Sequence, residues 1–265
     1  MWLLTSTGQA PGVDIRVTGR GLHPWDFPGL ELAAAVDSVD AEWLVTALDH
    51  RWVEVPRTVD ATIASFVPEG YGAYARIFHP VPRTSAAVVS VHGEPPAPLR
   101  WSDVARAAGQ RLISTSRFAS IAGVRREDLN IAEPGPELPR EMLGRLASTL
   151  SRFTSTTGLC TFALWDGYGD LSVTDSADLV RFEMPGRTYV LYRGPVAQAT
   201  AFATQGMPHA PTLWWPADRA WFVGSDVDLD STYIGGSPEV IRDLLKDHEL
   251  ETLATTPDHA AAGED

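Results

Sequence analysis

The apolar period of this chain changes at Gly158, and no other feature constrains its fold as much. Before that point, Met142, Leu143, Leu146, Leu150 and Phe153 recur at helical spacing, which predicts a helix over residues 137–157 with one apolar stripe. Gly158 stands where a helix end favours glycine. After it, apolar residues alternate. That predicts a strand over residues 160–165, a two-residue turn at Asp166-Gly167 and a returning strand over 168–173.

The same alternation predicts strands over residues 71–81 and 188–193. A hairpin over 212–215 and 220–229 turns at Pro216-Ala217-Asp218-Arg219. Ser237-Pro238-Glu239 supplies a cap oxygen, a proline and an early acid, so a helix is expected over 237–248. Shorter helices are expected over 37–50, 58–67 and 101–108, a helical turn near 116–122 and a small strand over 13–18. Residues 80–99 read as a proline-rich connection. These elements predict an α+β fold, a mainly antiparallel sheet covered by helices. A single domain is expected over residues 1–253, with 254–265 a flexible acidic tail.

Charge narrows the function. Lys and Arg number 21 and Asp and Glu 34, for a net charge of −13. Residues 226–265 hold 11 acidic side chains against Arg242 and Lys246, a local net of −9. Nucleic acid and anionic membranes call for a basic face, so neither is an expected partner. No apolar run approaches the roughly 18–20 residues needed to span a bilayer. Residues 1–13 have no signal-peptide pattern, and Cys160 is the only cysteine, so no intrachain disulfide forms. A cytoplasmic location is expected.

The chain has no phosphate-binding loop, no dinucleotide fingerprint, no HExxH and no GxSxG. The sharpest local pattern is Ser225-Asp226-Val227-Asp228-Leu229-Asp230-Ser231. On an extended strand Asp226, Asp228 and Asp230 would share one face. Side by side they would attract a basic partner or a hard divalent cation. Trp214 and Trp215 alternate on the hairpin, so one of them is expected outside as an interface anchor. His79 is a candidate base, and Cys160, on an apolar strand, reads as an inert core thiol.

Of the 21 basic residues, 20 are Arg and only Lys246 is Lys, a usage associated with high-GC bacteria. RIFHP (76–80), FALWDGYG (162–169), WWPADRAW (214–221) and DSTYIGGSPE (230–239) resemble an uncharacterised protein family of such bacteria with no assigned activity. That resemblance spans most of the chain after Thr58 and implies no reaction. The late strands followed by a closing C-terminal helix are similar, in layout alone, to the SUKH superfamily, which includes many toxin-immunity proteins.

The expectation is a non-enzymatic binding protein, immunity-like in the SUKH sense. It would engage a protein partner through Trp214, Trp215, Asp226, Asp228 and Asp230, with no resident cofactor. The alternative is a hydrolase in which the three aspartates hold Mg²⁺ or Mn²⁺.

Overall fold

The computed structural model describes residues 27–33, 41–54, 61–84, 97–123, 125–169, 181–204 and 207–261, so the strand expected over 13–18 lies outside the described residues. The first half of the chain contributes β1 (Glu31–Leu32), α1 (Trp43–Ala47), α2 (Arg51–Glu54), β2 (Ala73–Phe78) and α3 (Trp101–Ala107). Short α4 (Phe118–Ala122) and α5 (Arg125–Leu129) precede the long α6 (Arg140–Ser151). The second half is mostly strand: β3 (Cys160–Trp165), β4 (Arg181–Met184), β5 (Arg187–Gly194), β6 (Ala203–Thr204), β7 (Met207–Pro208), β8 (Leu213–Pro216), β9 (Phe222–Gly224) and β10 (Ser231–Gly236). Helix α7 (Pro238–Lys246) and β11 (Thr252–Thr255) close it.

Nine of these strands form one sheet in the order β1-β5-β3-β8-β9-β10-β2-β11, with β4 also paired to β5. Every ladder is antiparallel. The molecule is one α+β domain, as the period switch implies.

Alternation divides the strand side chains between two cores. On one face Ala75, Ile77, Phe162, Leu164, Trp214 and Ile234 pack with Leu143, Leu146 and Leu150 of α6 and Val240 and Leu244 of α7. On the other, Tyr74, Ala163, Leu191, Trp215 and Tyr233 pack under Leu44, Ile63 and Phe66. A third cluster sits beside the end of β2, where Phe78 and Val81 meet Trp101, Val104, Phe118 and Ile121.

Several expectations are corrected. The long helix ends at Ser151, not near 157. Beyond it, Thr154 Oγ1 donates to Asp218 Oδ1 (2.8 Å) and Ser155 N to Asp218 Oδ2 (2.7 Å), so these groups serve the β8–β9 turn instead of another helical turn. Asp166-Gly167 does form a turn, but β3 pairs with β5 and β8, and Tyr168 leaves the sheet. Residues 170–173 of that expected strand lie outside the described residues. The segment read as a tail is largely built in. β11 pairs with β2 from Thr252↔Ile77 to Thr255↔Tyr74, Ala261 N donates to Ala61 O (2.9 Å), and Ala261 is buried. Residues 262–265 lie outside the described residues. Among those described, no helix is long and apolar enough to cross a membrane.

Candidate binding cleft at the end of the sheet

Antiparallel pairing gathers the termini of neighbouring strands at one end of the sheet. Among them are the ends of β2, β3 and β9 and the starts of β5, β8 and β10. The expected aspartate face lies here, but the chain does not run straight through it. β9 stops at Gly224, and Leu229 N donates to Asp226 O (3.0 Å), closing a turn. Alternation applies only to extended chain, so the three carboxylates are not aligned.

Instead they divide between two arginines. Arg187, at the start of β5, clamps Asp226 through Nε to Oδ2 (2.9 Å) and Nη2 to Oδ1 (2.7 Å). The same Nη2 reaches Asp228 Oδ2 at 2.7 Å. These carboxylates hold the Arg187 guanidinium pKa above its ordinary value, Asp226 foremost. Asp230 belongs to Arg76, whose Nη2 lies 3.1 Å from its Oδ1. Among the described residues no group of three or more His, Cys, Asp or Glu is placed to hold a metal ion. The three carboxylates that the alternative reading gathers around one cation are instead engaged in ion pairs with Arg187 and Arg76.

Arg76 comes from the middle of β2 and is wholly buried. A buried guanidinium is tolerable only when its charge and its donors are matched. Arg76 makes four hydrogen bonds: Nε to Ser231 Oγ (2.8 Å), Nη1 to the carbonyls of Ser114 and Ser116 (2.8 Å each), and the Asp230 bond. Its plane also lies over Phe78, 4.2 Å from the ring centre, with Trp101 at 5.1 Å. One side chain thus ties the end of the sheet to the α3–α5 region.

His79, the candidate base, is buried just past the end of β2. Its Nδ1 lies 2.8 Å from Gly135 O and its Nε2 2.8 Å from Thr232 Oγ1, so both ring nitrogens are engaged. Burial pushes its pKa down to about 4, and Arg76 pushes the same way. It fixes the 131–136 segment against β10. Cys160 is buried, and burial raises its thiol pKa well above the usual range, as an inert core thiol requires.

Between these anchored segments lies a cleft of about 360 Å³, lined among others by Arg117, Phe118, Glu133, Pro134, Val227 and Asp230. Asp230 lines it with its side chain 20% exposed. Burial raises the Asp230 carboxyl pKa, while Arg76 opposes that shift. Both bonds to Asp230 from other side chains end on Oδ1, from Arg76 and from Ser231 Oγ (3.0 Å). No bond from another described residue reaches Oδ2. Glu133, at the rim, pairs with Arg126.

Comparison with protein-family models, curated proteins and solved structures finds no match.

The tryptophans are corrected as well. Trp214 and Trp215 are 1% and 2% exposed, because the sheet is covered on both faces. Trp214 stacks on Phe162 and meets Trp221 edge-on, while Trp215 lies parallel to Phe222 at 5.4 Å. They build the cores and offer no anchor to a partner. A network absent from the sequence reading lies at the same end of the sheet. Tyr168 donates its hydroxyl to Glu137 Oε1 (2.6 Å), Ala210 N donates to Oε2 (2.6 Å), and the Tyr168 ring stacks 3.8 Å from His209. Burial, reinforced by Glu137, raises the Tyr168 hydroxyl pKa. The only sequence signal for it was a tyrosine just past an Asp-Gly turn.

Proposed function

We propose that this is a binding protein that engages a protein partner through the cleft at the end of the sheet. The observation that carries this reading is the construction of the cleft. Its walls come from three separate segments, 117–119, 133–136 and 227–230. Hydrogen bonds from the buried Arg76 and His79 hold Ser116 next to the first segment, Asp230 in the third and Gly135 in the second. Recognition by a rigid concave site avoids the ordering cost that a loose surface incurs on association. The face differs from the one expected from the sequence, since Trp214 and Trp215 are interior and only Asp228 and Asp230 of the five named residues line the cleft.

The test uses a photo-cross-linking residue at Pro134, with one at the exposed Arg242 of α7 as control, in the cells that naturally make the protein. The expected result is a discrete protein adduct from position 134 only, lost when Ala119→Trp fills the cleft from α4. Equal adducts from both positions, or none from 134, would overturn the reading.

A further inference from the structure

We propose that β11 is a dimerisation edge: two copies of this chain join by antiparallel pairing of their β11 strands, which fuses their sheets into one. This inference is independent of the cleft and of the binding reading above. Three observations carry it.

The first is the unpaired backbone. Phe78 N donates to Glu251 O (2.9 Å), which sets the phase of the ladder that runs on through Thr252↔Ile77 and Ala254↔Ala75. In that phase Leu253 and Thr255 turn their backbone groups to β2, while Thr252 and Ala254 turn theirs away from it. β11 is the last strand of the sheet. No described residue bonds the outward N–H and C=O groups of Thr252 or Ala254. Thr252 Oγ1, shielded from solvent, is without a partner too. A row of outward donors and acceptors on a sheet edge is matched by one thing, another strand.

The second is that the edge fits itself. A two-fold axis through Leu253 sets Thr252 opposite Ala254 of the second copy, and Ala254 opposite its Thr252. All of these residues present outward groups, so each pair exchanges both N–H and C=O. A shift of one residue would set outward groups against inward ones. The pairing is isologous and uses up the edge, so it stops at two copies.

The third is what borders the edge. The other edge of the sheet exposes Glu31 on β1 and Arg181 and Glu183 on β4, the charged pattern that keeps strands apart. β11 reads Thr-Leu-Ala-Thr and carries no charge. Beside it runs α7, which packs on β2, β10 and β11. Asp243 and Asp247 turn towards α6, where they meet Arg152 and Arg145. Leu245, two positions from each, lies on the flank away from α6, the side of β11, and is 42% exposed. The two-fold axis brings it towards its counterpart, so the seam gains apolar cover above the paired strands. Lys246, His248 and Glu249 precede β11, and Asp258 and His259 follow it. Antiparallel apposition therefore sets mixed signs against mixed signs instead of like against like.

The test is sedimentation velocity of the full chain across a wide concentration range, with amide hydrogen exchange read at both extremes. The expected result is a reversible monomer–dimer equilibrium in which the Thr252 and Ala254 amides exchange more slowly in the dimer than in the dilute monomer. Ala254→Pro removes an outward N–H and leaves the ladder to β2 whole, at an edge position where proline is tolerated. It deletes one bond from each pair and should weaken the dimer tenfold or more. Leu245→Lys, on the exposed flank of α7, should weaken it as well and keeps the test decisive if the proline variant folds poorly.

A chain that stays monomeric throughout would overturn the inference, even if a second protein slows those two amides, since the edge would then serve a foreign strand. So would a dimer whose Thr252 and Ala254 amides exchange as fast as in the monomer. A dimer undiminished by a folded Ala254→Pro or, where that variant unfolds, by Leu245→Lys would overturn it equally.

Discussion

Arg76 and His79 show what a sequence hides at the scale of single residues. In Ala73-Tyr74-Ala75-Arg76-Ile77-Phe78 an arginine at an alternating position reads as an outward, solvated side chain. It is interior because its partners come from positions 38 to 155 residues away, distances over which local pattern carries no signal. The three aspartates failed for a related reason. Their spacing was legible, but their direction depended on whether the chain stayed extended, and the turn at 226–229 broke it. His79 gives a pH prediction. Its folded pKa, about 4, lies below the unfolded value near 6.5, so the unfolded chain binds more protons between those limits. Its contribution to stability is fully present above pH 6.5 and is lost as the pH falls towards 4, at a cost of about 3 kcal/mol. Urea unfolding of wild type and His79→Gln at several pH values should show the variant with a correspondingly flatter dependence across that window. Parallel curves would refute the assignment.

At the scale of elements, legibility followed the strength of local rules. Helix α7 was readable because Ser237 caps it, with Val240 N donating to Ser237 Oγ (3.4 Å), and because Pro238 opens it. Strands β2, β3, β5 and β8 were readable from apolar alternation. β4 and its Pro185-Gly186 turn to β5, where Gly186 takes φ +76°, were not anticipated. β10 was missed because Ser231–Gly236 ends in two glycines, which ordinarily weaken a strand. Here the glycine is required by close approach. A Cβ on Gly235 would stand 2.6 Å from Tyr71 Cδ2 and 2.8 Å from Val67 Cγ1. Gly235→Ala should therefore destabilise the protein by about 1–3 kcal/mol, the usual cost of overpacking, read as a lower urea midpoint with an unchanged slope. A midpoint equal to wild type would mean that Tyr71 gives way freely.

For the whole molecule, the uneven charge of the sequence has an intramolecular answer. The acidic last 40 residues meet arginines from earlier in the chain: Arg145 with Asp247 (2.6 Å), Arg152 with Asp243 (3.2 Å), Arg187 with Asp226 and Arg76 with Asp230. Glu251 accepts the backbone N–H groups of Trp101 and Ser102 at the start of α3 (2.7 and 2.9 Å). Net charge by segment was visible in the sequence, but pairing across the fold was not, so an apparent acidic patch dissolved into contacts. The C-terminal segment that composition marked as loose supplies an edge strand. Deleting residues 252–265 should uncover the edge of β2 and lower the melting temperature by several degrees or prevent folding, measured by calorimetry. A truncated chain that melts like the full one would show β11 to be dispensable.

The placement of Arg76 has a consequence for how the protein would fail. Pulling the α3–α5 region off the sheet would strand a naked guanidinium in oil and leave two carbonyls thirsty, so the cleft cannot loosen by small degrees. Whatever weakens it must first defeat the cooperative heart of the fold, and recognition and melting should vanish together along the same heating curve.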